Sequence, residues 1–309
     1  MKSLQHRAEY GALRALVRAL GAVPWERAGR IGARVGAAGF RPLGIRRRVV
    51  ERQIAGAFPE LSPGEVADMA RRSYEHLGRA SIETALLPGL GQAGVLRLVS
   101  EVENWDVVER AVAGGKGIII VAGHLGNWEL AGAYLAARGV PLDVIVRKMG
   151  NPFFESYLNQ TREQIGMNVV HDAQAVRHTP RALREGRAVA FVADQGVRGL
   201  ASTFVPFFGR PAKTPRGAGV FALRFEAPVV FIAALRKPDG SYLVGFEEIP
   251  VERTGDREHD VDGVVLRFTQ VLERWVRRAP EQYFWQHRRW RRQPPDTPPE
   301  LRDPAAEGA

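Results

Sequence analysis

"IIIVAGHLGNWELAGAYLAARG", residues 118–139, is the stretch whose reading decides the fold. An apolar run of strand type ends at Ala122, Gly123 and His124 follow at once, and a helical pattern then runs to about residue 138. A strand that passes through a glycine-bearing turn straight into a helix is the unit from which parallel α/β sheets are built. In such sheets reactive groups collect at the carboxyl ends of strands, where the next helix presents its N-terminus. His124 falls at such a place, and Glu129 follows it by five residues. On a regular helix that spacing is a rotation of roughly 140°. The two side chains can therefore meet only if His124 stands in the turn and Glu129 in the first turn of the helix.

The alternation repeats downstream. Strand-length apolar runs stand near 117–122, 142–147, 167–171, 188–193, 228–236 and 242–249, with helical segments near 126–138, 152–165, 174–185, 214–226 and 260–279. The expected fold class is α/β, with a central, mostly parallel or mixed sheet flanked by helices. Upstream the pattern is helical. Leu13, Leu16, Val17 and Leu20 form an apolar stripe from which Arg14 and Arg18 are excluded, so this helix either packs on the domain or lies on anionic lipid. "LSPGE", residues 61–65, places Ser62, Pro63 and Glu65 as a capping box, opening a helix expected to stop at "LPGLG" after Leu87. The expected organisation is a membrane-associated amphipathic region over 1–45, a catalytic domain over 46–292 and a disordered Pro-rich tail over 293–309.

Composition narrows the chemistry. With 44 Lys plus Arg against 34 Asp plus Glu, the chain carries a net charge of +10 and seeks anionic partners: nucleic acid, an anionic leaflet, or an acidic substrate or carrier. The absence of cysteine excludes disulfides, a cysteine nucleophile and thiolate zinc sites. No secretory leader is expected, and arginines interrupt the best candidate for a spanning helix, residues 10–40. There is no GxSxG elbow, no phosphate-cradling GxxxxGK[ST] loop and no HExxH zinc pair. An attacking group must then come from substrate or water. A carboxylate bonded to one imidazole nitrogen fixes the tautomer and leaves the other nitrogen free to take a proton. His124 with Glu129 fits that use, and Gly123 and Gly126 would let backbone approach a substrate closely; the plain alternative is a histidine that caps the helix or fills a polar niche.

"GHLGNWE" matches the H-x-x-x-x-[DE] signature of the glycerolipid acyltransferase superfamily, and its surroundings resemble the bacterial lipid A late acyltransferases. The resemblance runs in order through 46–83, "GKGIIIVAGHLGNWEL" at 115–130, "VRKMGNPFFE" at 146–155, "FVADQG" at 191–196, "VPFFGRPAKTPRG" at 205–217 and "PEQYFWQHRRW" at 280–290. It implies that His124 is a general base for an acceptor hydroxyl and that Glu129 orients it. Arg147 matches a strand-end arginine that would stabilise the oxyanion, or else bind phosphate or form a structural ion pair. Asp194 and Gln195 match an Asp-Gln pair that would position substrate or Arg147. Asn127 and Asn151, within the second and third blocks, are candidate substrate contacts. Lys213, Thr214 and Arg216, at an expected helix start, suit an anionic headgroup or a carrier phosphopantetheine, or else a solvated surface.

The implied reaction moves an acyl chain from an acyl carrier protein or coenzyme A thioester to a hydroxyl of a lipid A precursor, without an acyl-enzyme. The implied partners are an anionic membrane lipid and the thioester carrier, with no nucleic acid, no metal and no bound cofactor, at the cytoplasmic face of the inner membrane. Many members of that branch begin with a spanning helix and this chain has only its Arg-interrupted segment, which raises mannoside-lipid acyltransferases as an alternative. An alternative of another class is a non-catalytic basic protein that binds membrane or nucleic acid. "YFWQHRRWRR" suits either a nucleic-acid stacking surface or a membrane interface, with Tyr283, Phe284 and Trp285 as core residues by default.

Overall fold

In chain order the elements are α1 (Lys2–Gly21), α2 (Trp25–Phe40), α3 (Arg47–Ala57), α4 (Pro63–Leu98), β1 (Val99–Glu103), α5 (Trp105–Ala113), β2 (Ile118–Ala122), α6 (Trp128–Ala137), β3 (Leu142–Val146) and α7 (Pro152–Gln164). There follow β4 (Met167–His171), α8 (Ala175–Arg184), β5 (Ala188–Val192), β6 (Ser202–Phe207), β7 (Arg210–Pro215), α9 (Gly217–Phe225), β8 (Val229–Arg236), β9 (Tyr242–Ile249) and α10 (Arg257–Arg278). This computed structural model describes residues 2–197 and 199–306.

Seven strands form one sheet in the order β1-β9-β8-β2-β5-β3-β4. From β8 to β4 every neighbouring pair is parallel; β9 is antiparallel to β8, and β1 runs parallel to β9. The fold is thus the α/β class expected, with a mixed sheet. Strand β2 is buried along its whole length. Ile119 and Val121 pack with Phe231 and Trp275 on one face, while Ile118, Ile120 and Ala122 pack with Leu130 and Tyr134 on the other. Burial on both faces explains why the run is continuously apolar and does not alternate.

The helical N-terminal region is joined to this body. Helix α4 opens on the expected capping box: Ser62 N–H donates to Glu65 Oε2 at 2.9 Å and Ser62 Oγ accepts from the Glu65 N–H. Such a cap is worth about 1 kcal/mol. The expected stop at "LPGLG" falls at Gly91, whose φ of +60° and ψ of 179° break the helix, and a second helical stretch then runs to Leu98. Helix α2 crosses α4 backbone against backbone; a Cβ at Gly36 would lie 1.9 Å from the Tyr74 carbonyl oxygen. Helix α1 rests on α7 through Tyr10, whose ring lies 5.9 Å from that of Phe153 and 6.4 Å from that of Tyr157. Among the described residues, no helix is long and apolar enough to cross a membrane.

Four elements escape the sequence pattern. The edge strand β1 is VSEVE, too charged to read as a strand, and α5 follows it. Strands β6 and β7 form a separate antiparallel hairpin in which Pro206 faces Pro211, and prolines argue against strand in a sequence reading. The helix expected from residue 214 therefore begins at Gly217, and Lys213 and Thr214 belong to β7. The Pro-rich tail, expected to be disordered, packs on the body over 293–306, while 307–309 lie outside the described residues. Its carbonyls are taken up by side chains: Arg210 Nη1 donates to the Glu300 and Arg302 oxygens at 2.7 and 2.9 Å, and Gln293 Nε2 donates to Leu301 O at 2.8 Å.

Candidate active site

The sheet register brings two sequence-distant turns together. Strands β2 and β5 are parallel neighbours with Ala122 opposite Val192. The next-but-one residues, His124 and Asp194, therefore leave the sheet at the same height. His124 Nδ1 lies 2.6 Å from Asp194 Oδ1, and the His124 backbone N–H donates to Oδ2 at 3.1 Å. Tyr283 Oη–H donates to the same Oδ2 at 3.1 Å. Asp194 is buried at 1% exposure, so burial works to raise its pKa; the charge and hydrogen bonds of His124, joined by the charge of Arg289, outweigh this and hold the carboxyl well below the usual carboxylate range. An ionised carboxylate only accepts, so Nδ1 carries a proton, and in the neutral imidazole the lone pair is then on Nε2. The imidazole is 22% exposed, between the rings of Trp128, 4.9 Å away, and Phe284, 5.9 Å away.

The turn that carries His124 is fixed from three sides. Asn127 N–H donates to Ala234 O at 2.9 Å, Gly126 N–H donates to Gln282 O at 3.0 Å, and Phe284 N–H donates to His124 O at 2.9 Å. His76 Nε2–H donates to Gly126 O at 3.1 Å. Gly126 has φ +60°, and a Cβ there would stand 2.0 Å from the Ala234 oxygen. Gly123 packs as tightly, its Cβ position lying 2.5 Å from Leu272 Cδ1. Both glycines serve the contact of the turn with the protein, where approach to a substrate was expected.

Glu129 is not the partner of His124. Its carboxylate is gripped by Arg162 of α7, with Nε 3.0 Å from Oε2 and Nη2 2.5 Å from Oε1. Burial pulls the Arg162 pKa down, but the Glu129 carboxylate prevails and leaves it raised. Spacing could not foresee this, because Arg162 comes from another helix and carries no local signal. Asn127 is likewise a structural group, 2% exposed, capping α6 by accepting the Leu130 N–H at 3.0 Å. Asn151 caps α7 through the Phe153 N–H at 3.0 Å and donates to Glu9 of α1 at 3.0 Å. Arg216 is spent on α10, 2.6 Å from both Glu258 and Asp262. Thr214 is fully buried and accepts from Arg289 Nη2 at 2.6 Å.

Arg147, Gln195 and Lys213 do converge. They line a cleft of about 360 Å³ next to Asp194 in the chain, together with His287, Arg288, Arg289, Arg291 and Arg292. Arg147 is 54% exposed and lies 3.5 Å from Asp172. Arg289 is buried and donates to Lys213 O at 2.6 Å. Desolvation pushes His287 down to about 4, with Arg289, His124 and Arg46 adding to the push against Asp194. Within "YFWQHRRWRR" Tyr283 and Trp285 are core residues as expected, but the histidine and arginines line this cleft, a use only the tertiary fold reveals.

A family model described as bacterial lipid A biosynthesis acyltransferase matches residues 2–292. The chain belongs to that family. Among its relatives, the lipid A biosynthesis palmitoleoyltransferase of Escherichia coli is 27% identical over 266 residues, 85% of each chain. The lipid A biosynthesis lauroyltransferase of the same organism is 27% identical over 272 residues, 87% of each chain. A phosphatidylinositol mannoside acyltransferase of Mycobacterium tuberculosis is 26% identical over 205 residues, 64% of this chain and 63% of that one. As a member of the lipid A acyltransferase family, the protein is an O-acyltransferase of glycolipid biosynthesis.

Proposed function

We propose that this acyltransferase moves a fatty acyl chain from a thioester of acyl carrier protein or coenzyme A to a hydroxyl of a lipid A precursor, with His124 as general base and Asp194 as its positioning carboxylate. The observation that carries the reading is the 2.6 Å His124–Asp194 pair at adjacent strand ends, which leaves Nε2 with no protein partner among the described residues. The acceptor O–H gives its proton to Nε2 as its oxygen attacks the thioester carbonyl. The new C–O bond stands as the C–S bond breaks, and the imidazolium returns the proton to the departing thiolate. No acyl-enzyme is required. Arg147, the first residue after β3 and a lining residue of the cleft with Gln195, supplies positive charge to the developing oxyanion. Glu129 acts at one remove, seating α7 against the first turn of α6 through Arg162.

The acceptor assignment rests on the lipid A relatives; the match to the mannoside acyltransferase supports another glycolipid as the alternative. Attachment to an anionic membrane surface, at the cytoplasmic face of the inner membrane in this reading, is supported as surface contact alone by the loop between α2 and α3, where Leu43 and Ile45 are 66% and 56% exposed beside Arg41, Arg46 and Arg48. The test is mass spectrometry of total lipid A and glycolipid from cells lacking the gene, complemented with wild type or His124→Ala. The expected result is one acyl chain lost from lipid A and restored by wild type alone. Loss from another glycolipid moves the acceptor, and no change in any lipid overturns the reading in favour of a binding protein.

A further inference from the structure

The cleft beside Asp194 has a charge composition that catalysis by His124 does not call for. Six of its lining residues are Lys or Arg, and none is Asp or Glu. Arg147 and Arg288 have acidic partners outside it, Asp172 and Asp303. Among the described residues, Lys213, Arg289, Arg291 and Arg292 form no ion pair. Two of the guanidinium groups also hold buried N–H donors without an acceptor, Arg289 Nε and Arg292 Nη1. Buried donors are ordinarily satisfied. Four cations exceed the charge of one carboxylate, while a phosphate carries about −1.5 to −2 and offers three acceptor oxygens. Guanidinium forks match that geometry in bidentate fashion.

We propose that this cleft is a phosphate-binding subsite, in which Arg291, Arg292 and Lys213 grip a phosphate of the substrate while Arg289 anchors the wall. The wall is built for it. Arg289 is held by Lys213 O, Thr214 Oγ1 and, through its backbone N–H, Gln53 Oε1 at 2.7 Å. Gln53 in turn donates to the Trp285 and His287 oxygens at 2.7 and 2.8 Å. The 194–197 turn presses on β7, with a Cβ at Gly196 placed 2.7 Å from Lys213 O. The proposal rests on the acyltransferase reading for the identity of its substrate, and the phosphate has two chemical sources: a phosphorylated sugar of the acceptor, or the phosphopantetheine of the donor.

The experiment uses the full chain and two variants, Arg291→Gln and the double Arg291→Gln/Arg292→Gln. Calorimetric titration with inorganic pyrophosphate comes first, because it needs no turnover. Wild type and His124→Ala bind; the double variant binds about ten- to a hundredfold more weakly, as expected for lost charge-assisted bonds. Kinetics then separate the sources. If the phosphate is the acceptor's, KM for the phosphorylated acceptor rises by that factor and the preference over the dephosphorylated acceptor collapses. If it is the donor's, the same happens between acyl-phosphopantetheine and acyl-pantetheine. Pyrophosphate binding with no transfer to any acceptor keeps the subsite and sinks the enzyme reading. Pyrophosphate affinity equal in wild type and both variants, or KM rising alike for phosphorylated and phosphate-free substrates, overturns the proposal.

Discussion

An Asp194→Asn change keeps the side-chain volume and removes the charge that faces His124 Nδ1–H, so it tests the pairing directly. We expect kcat to fall by about 10²- to 10⁴-fold, the usual worth of a positioned base, with KM little altered. Glu129→Gln acts elsewhere. It leaves the Arg162 guanidinium, 16% exposed, without its counter-charge, so thermal unfolding should shift down by the equivalent of about 2–3 kcal/mol while kcat falls less than tenfold. If Glu129→Gln abolishes turnover as fully as His124→Ala and leaves the unfolding midpoint in place, Glu129 is the working partner and Asp194 is not. His124 itself was legible in the sequence because glycine, histidine and an apolar run mark a strand end. Its partner was not, because the carboxylate nearest along the chain lies on the helix while the nearest in space lies in the turn after the adjacent strand.

At the scale of elements, the turn between β2 and α6 is a joint among the sheet, α4 and the C-terminal segment. Gly126→Ala places a Cβ 2.0 Å from Ala234 O at φ +60° and cannot be relieved by a rotamer change. It should cost about 2 kcal/mol or more in chemical denaturation and cut kcat more than tenfold, since the turn also aims His124. A stable, fully active Gly126→Ala protein would mean that the turn does not set the imidazole. The apolar runs of β2, β3, β4, β5, β8 and β9 were readable because burial demands them. The β6–β7 hairpin and β1 were not, since prolines and charges sit where a sheet edge or an isolated ribbon tolerates them. The stop at "LPGLG" was readable as well: Gly91, at φ +60° and ψ 179°, breaks the helix at the end of that stretch.

For the whole molecule, the net charge of +10 gains a location. Tyr74 Oη–H donates to Ile45 O and ties down the loop that displays Leu43 and Ile45. Arg46 from the same loop acts on His287 in the cleft wall. Leu43→Ser/Ile45→Ser should leave the unfolding transition unchanged and weaken sedimentation with anionic phospholipid vesicles about tenfold at physiological salt. Unchanged sedimentation would place the membrane contact on another surface.

By itself, the sequence determined the α/β class, most strand positions, the place of His124 at a strand end and the family, because these depend on local periodicity, turn chemistry and motif order. Tertiary structure alone decided that Asp194 and not Glu129 meets His124, that Asn127, Asn151, Thr214 and Arg216 hold the scaffold, and that an arginine-rich segment near the C-terminus lines the cleft. The physical reason is range. A strand or a cap is specified by neighbours in the chain, whereas a buried ion pair is specified by which strands lie side by side and in what register.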